Sequence, residues 1–133
     1  MLRHLFGLET YGLVHLAALV LFAALATVLF RQAGIRLRHA AVLTLLYVLC
    51  NFLAAKLLYD FVKAGGDHTL FQHPALAHFL EGGYWGWPLA FLPCVLAYPF
   101  ALRVPAVPFY RAVAFLLPPV LAVQKVGCFA AGC

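Results

Sequence analysis

Charge is what this chain has least of. Charged residues make up 10% of its 133 positions, against about 25% in an ordinary soluble domain. Only four are acidic: Glu9, Asp60, Asp67 and Glu81. So few charges cannot clothe an aqueous surface, which excludes an ordinary soluble domain. The shortage of acids leaves a formal net charge of +5, a balance that by itself suits nucleic acid. Nucleic acid is set aside as a partner because the basic residues form no polar domain. They punctuate the ends of apolar runs, as membrane topology signals do. Phosphate loops of the Gly-x-x-x-x-Gly-Lys-Ser/Thr type are missing, as are His-Glu-x-x-His metal motifs and Cys-x-x-Cys pairs. No internal repeat or low-complexity tract divides the chain, which reads as a single domain over 1–133.

Apolar length is what the chain has instead. Hydrophobic residues reach 66% and the mean hydropathy is +0.99. Four runs stand out, at 11–30, 40–62, 84–102 and 109–129. Each approaches the ~20 residues that cross a hydrocarbon core as helix. Pro88, Pro93 and Pro99 in the third run and Pro118-Pro119 in the fourth predict kinked or broken spans. The first run is long for the apolar part of a signal peptide and lacks a clear small-residue cleavage site, so it reads as an anchor. The expected fold is therefore all-α, a polytopic membrane helix bundle of four spans. Arg31, Arg36 and Arg38 separate the first two runs, and Arg103 and Arg111 the last two. The other side has Arg3 and Lys63 outside the runs and collects Glu9, Asp67 and Glu81. This imbalance places the Arg-rich connections in the cytoplasm and both termini outside.

Two lysines, Lys56 and Lys125, lie inside the second and fourth runs. An ionised side chain at mid-helix in hydrocarbon costs roughly 2.5–3.5 kcal/mol even on the lenient insertion scale, so such a residue normally faces a polar pocket. Lys56 falls about 9 Å short of the outer end of its run at 1.5 Å per residue, and Lys125 is similarly placed. Their depth predicts that Lys56, Asp60, Glu81 and Lys125 converge on one polar pocket in the outer half of the bundle. The competing reading pairs Lys56 with Asp60 at i,i+4 while both lysines snorkel to the interface. His68, His73 and His78 in the outer connection are five apart and share no helical face, so no metal site is expected. That connection reads as a hydrated interfacial loop, with a short helix over 74–80. Tyr84, Trp85 and Trp87 form an interfacial aromatic anchor. Cys50 and Cys94 read as small apolar packing residues. Cys128 and Cys133 lie at the outer end of the fourth run, where an oxidising compartment permits a disulfide. Five residues apart on a continuous helix they point roughly 140° from each other, so pairing requires the helix to open at Gly127 or Gly132.

Several segments, in order, resemble the N-terminal part of the prolipoprotein diacylglyceryl transferases. Tyr11-Gly12-Leu13 is similar to the Tyr-Gly-Leu that opens that family's first span. Ala54-Ala55-Lys56-Leu57-Leu58-Tyr59 resembles its Gly-Ala-Arg-Leu-Gly-Tyr stretch, and Glu81-Gly82-Gly83 its Glu-Gly-Gly-Leu. Lys125-Val126-Gly127-Cys128-Phe129-Ala130-Ala131-Gly132 resembles the signature Arg-Ile-Gly-Asn-Phe-Ile-Asn-Gly. The resemblance implies a multi-pass protein of the bacterial inner membrane. It further implies transfer of diacylglyceryl from phosphatidylglycerol to a cysteine thiol of a lipoprotein precursor, with no cofactor. It gives Lys125 a catalytic role, and gives substrate-binding roles to Tyr11, Lys56, Glu81, Gly82, Gly83 and Gly127. The departures are specific. Lysine replaces arginine at 56 and 125, Cys128 replaces the signature Asn, and Cys133 replaces the acid that follows the signature. Trp87-Pro88-Leu89 stands where the family has His-Gly-Gly. The family continues through further spans, so the chain reads as a fragment or a shortened relative. Two other functions fit the residues: a thiol oxidoreductase passing electrons from Cys128 and Cys133 to a quinone, and a non-catalytic lipid-binding membrane subunit.

Overall fold

The computed structural model describes residues 4–5, 8–63 and 86–131, with side chains over 12–51, 90–127 and 129–130. Its elements run in the order β1 (His4–Leu5), β2 (Leu8–Glu9), α1 (Thr10–Gln32), α2 (Leu37–Lys63), α3 (Gly86–Leu102) and α4 (Ala106–Ala131). The two short strands pair antiparallel, His4 opposite Glu9 and Leu5 opposite Leu8, a feature the hydropathy pattern does not announce. Apart from them the described chain is helix and tight connection, so the all-α expectation is met in its coarse form. The interfacial loop and its short helix over 74–80 lie outside the described residues.

Residue spacing explains how the helices meet. In α1 every fourth residue, Ala18, Phe22, Ala26 and Phe30, is fully buried. That interval keeps them on one face, and alternating a small residue with a ring makes ridges that interlock with a neighbour's grooves. α4 presents Phe109, Val113, Leu116, Val120 and Gln124, α2 presents Leu43, Tyr47 and Asn51, and α3 presents Phe91, Val95 and Tyr98, all buried. α1 packs most extensively on α4 and also on α2, while α2 packs on α3; α3 and α4, though consecutive, touch only slightly. Rings join the elements. Phe22 stacks on Tyr47 with centroids 4.2 Å apart, and Phe91 meets both edge-on at 6.0 and 5.6 Å. Nearer the connections Tyr98 stacks on Phe109 at 4.9 Å. Such ring pairs contribute about 0.5–1.5 kcal/mol beyond their area.

The outward faces are apolar as well. Leu16, Val20, Leu45, Leu96, Phe100, Phe115 and Phe129 are all exposed. Two stretches, Gly12–Gln32 and Ala106–Gly127, are long and apolar enough to cross a membrane. Only 28% of each is buried inside the bundle, whereas the core helix of a soluble protein is mostly buried. The described parts of α2 and α3 give shorter apolar segments, Leu37–Asn51 and Ala90–Leu102. Pro93 and Pro99 sit inside α3, and Pro118 and Pro119 inside α4. Each removes a rung of helical hydrogen bonding, yet neither helix is broken there.

Both tight connections lie at one end of the bundle and close in the same way. After α1, the Ile35 N–H donates to the Phe30 carbonyl at 2.9 Å and the Gly34 N–H to Arg31 at 3.2 Å. Gly34 takes the left-handed conformation, φ 73°, that this cap requires. After α3, the Val104 N–H donates to the Pro99 carbonyl at 3.0 Å, and the left-handed position, φ 52°, is occupied by Arg103. A side chain there costs about 1–2 kcal/mol relative to glycine.

Candidate functional site

The buried polar side chains gather at two levels of the bundle, and the richer level lies toward the end opposite the connections. At 1.5 Å per residue, Asn51 is roughly 21 Å along α2, Gln124 roughly 27 Å along α4, and His15 roughly 26 Å back from the end of α1. All three are almost fully buried. The Gln124 side-chain N–H donates to the Tyr47 hydroxyl, which ties α4 to α2 across the face of Phe22. The Asn51 amide N–H donates to the Tyr47 carbonyl one turn earlier, at 2.7 Å. Asn51 Oδ1 and Gln124 Oε1 are buried and have no hydrogen-bond partner among the described residues. An unsatisfied buried acceptor costs about 1–3 kcal/mol, so two at one level mark a place suited to a hydroxyl, an amide or water.

One turn beyond this level the two long apolar helices close on each other. Gly127 is buried, and a Cβ added there would lie 2.7 Å from Val14 Cγ1 and 2.9 Å from Val14 Cβ. Only a glycine permits that approach. Lys125, two residues earlier, is exposed on the bundle surface. Gln124 and Lys125 thus give one turn of α4 an inward amide and an outward cation.

No family model, curated protein or solved structure matches the chain.

The residues expected to carry function are distributed as follows. Tyr11 lies in the first turn of α1, Lys56 and Asp60 lie one turn apart on α2, and Cys128 is in α4; their side chains are outside the described residues. Glu81, Gly82, Gly83 and Cys133 are outside them altogether, as are His68, His73 and His78. The structure therefore brings Gly127 to the segment following Tyr11. Of the four residues expected to meet in one pocket it describes the side chain of Lys125, which is exposed, while those of Lys56, Asp60 and Glu81 lie outside the described residues. Among the described residues no group of three His, Cys, Asp or Glu side chains is arranged to hold a metal ion.

Sequence reasoning missed two features. The Tyr47–Gln124–Asn51 cluster was concealed because single amides inside apolar runs carry no motif; their only signal is polarity at buried helical spacing. Cys50 on α2 and Cys94 on α3 were read as separate packing thiols, yet they are close enough for a thiol–thiol hydrogen bond. Both are free.

Proposed function

We propose that this chain is a four-span membrane protein of the prolipoprotein diacylglyceryl transferase type. Its Arg-rich connections are cytoplasmic, both ends lie on the outer side of a bacterial plasma membrane, and a phospholipid headgroup site occupies the outer half. One observation carries the reading. Gly127, within the last stretch on which the family resemblance rests, packs against Val14, the residue that follows the first stretch. The apolar outward faces of the helices and the arginines at the connections support the membrane setting and the orientation.

The chemistry asked of the site is displacement at carbon. A cysteine thiolate of the lipoprotein precursor attacks the glyceryl carbon of phosphatidylglycerol, a C–S bond forms, and the C–O bond to phosphate breaks. Glycerol phosphate departs with the electron pair, and the thiol proton passes to a base. Lys125 supplies positive charge where the phosphate gathers it, although lysine acts as a point charge and lacks the bidentate fork of arginine. With tryptophan, proline and leucine in place of the family's His-Gly-Gly, turnover by these 133 residues is expected to be slow.

The test is purified full chain with phosphatidylglycerol and a lipobox peptide, read by mass spectrometry of the peptide cysteine. Addition of a diacylglyceryl mass that Lys125→Ala abolishes, and that Cys128→Ser with Cys133→Ser leaves intact, supports the reading. Quinone reduction that depends on those two cysteines, with no lipid transfer, would replace it with an oxidoreductase. Retention of phosphatidylglycerol without transfer would reduce it to a lipid-binding subunit.

A further inference from the structure

The connection end of the bundle contains a second arrangement, far from the proposed transfer site. A cavity of about 470 Å³ is lined by Gly34 to Arg36, Arg38 and His39 from the first connection and by Leu102 to Pro105 from the second. Three arginines, Arg36, Arg38 and Arg103, are among its lining residues, and all three are exposed. Neither connection contains an Asp or Glu, and the first turns of α2 and α4 contain no acid. Those first turns point the positive end of the helix dipole toward this end of the bundle. α2 also begins after Arg36, which has no side-chain acceptor to cap it. The cavity wall is fixed by His39, which is buried, with its Nδ1 3.1 Å from the Tyr98 hydroxyl; that hydroxyl also donates to the His39 carbonyl at 3.4 Å. This pair binds the start of α2 to the last turns of α3 and so sets the distance between the two connections.

Backbone strain provides an independent sign. The two connections use the same cap, and where the first has Gly34 the second forces Arg103 into the left-handed region. Glycine is the residue that fits there. Strain of this kind persists where the side chain has a use, and the Arg103 side chain borders the cavity.

We propose that this cavity is a binding site for a phosphate group, carried either by a lipid headgroup of the adjacent leaflet or by a soluble phosphate compound. Arginines arranged around a recess, with no carboxylate in either connection, suit phosphate oxygens through short charge-assisted hydrogen bonds. A basic recess between helices at a membrane surface is suited to a lipid head group. The cavity is also in the size range of a small-molecule site. This inference does not depend on the transferase reading, because the two sites lie at opposite ends of the bundle.

The experiment titrates the full chain in a neutral detergent with short-chain phosphatidylglycerol, with phosphatidylcholine and with glycerol phosphate, and measures bound ligand by native mass spectrometry. Arg36→Gln, Arg38→Gln and Arg103→Gly are each expected to weaken binding about tenfold, the effect of one lost charge-assisted contact. Arg31→Gln removes a cation at the same end that does not border the cavity, and leaves binding unchanged. Arg103→Gly should at the same time raise the melting temperature, since it relieves the strained cap. Loss of binding in a stabilised protein separates a ligand role from a structural one. Phosphatidylglycerol binding without glycerol phosphate binding identifies the lipid as the source. Binding of both, with the same arginine dependence, identifies a soluble phosphate compound as sufficient. Binding that none of the three cavity variants alters would overturn the proposal.

Discussion

Adding a single methyl group at Gly127 tests how α1 and α4 are joined. The new Cβ of Gly127→Ala would stand 2.7 Å from Val14 Cγ1, 2.9 Å from Val14 Cβ and 3.5 Å from Val14 Cγ2. Carbon atoms are at their best separation near 3.5–4.0 Å, so the helices must part by roughly 1 Å. Rotating Val14 about χ1 moves its γ carbons, but its Cβ is fixed to the backbone. Overpacking of this kind costs about 1–3 kcal/mol, and alanine returns about 1 kcal/mol in helix propensity over glycine. The expected net loss is about 0–2 kcal/mol. Val14→Ala removes both γ carbons and leaves the 2.9 Å contact, so it rescues only in part. Val14→Gly removes the whole obstruction, at its own helix cost of about 1 kcal/mol. The assay is unfolding in micelles, followed by far-UV circular dichroism, for the single and double variants as a mutant cycle. If Gly127→Ala stabilises the protein by the full propensity difference and shows no coupling to position 14, the close approach is wrong.

Two further predictions concern the buried polar groups. Tyr47→Phe strands the Gln124 amide and should destabilise by about 1–3 kcal/mol, whereas Gln124→Leu removes the bond together with an unsatisfied oxygen and should stay within about 1 kcal/mol of the parent; thermal unfolding of both variants decides. His39, beside Tyr98 and outside the apolar runs, has its pKa lowered from 6.5, chiefly by desolvation and then by Arg38 and Arg36. The unfolded chain therefore binds the proton more readily, so this residue's contribution to stability is complete above about pH 6.5 and is lost as the pH falls through the folded value. The melting temperature should drop on acidification below pH 6.5 in the parent and drop less in His39→Gln.

Much of the helical layout was legible because it depends on apolar length and on a few stop signals. The arginines of the connections mark where the runs end. Partner choice among the helices was less legible. Nothing in the spacing of Ala18, Phe22, Ala26 and Phe30 states that the last helix, not the third, lies along α1. Helix pairing depends on how facing side chains interdigitate, and the hydrophobic pattern of one helix does not encode its neighbour. The strained cap at Arg103 was invisible for a related reason. A sequence signal for such a turn is glycine or asparagine, and arginine there reads only as a topology charge. Gly127 entered through a family motif, while its contact with Val14 follows from geometry that no motif records.

The pairing of the first helix with the last has a consequence for biogenesis. α1 emerges from the ribosome about a hundred residues before α4 is complete, which at 5–20 residues per second is a wait of about 5–20 s. During that interval Phe22, Phe30 and the Val14 surface have no permanent neighbour on their α4 side, and Tyr47 lacks the Gln124 amide. The hairpin of α1 and α2 must therefore survive on its own or be sheltered until the second hairpin arrives. Assembly then completes as α4 seats against α1 and α3 against α2, since α3 and α4 have little contact with each other to hold them as a pair. A chain cut between 64 and 85 and expressed as two pieces should consequently reassemble, because both interfaces that complete the bundle form between the pieces.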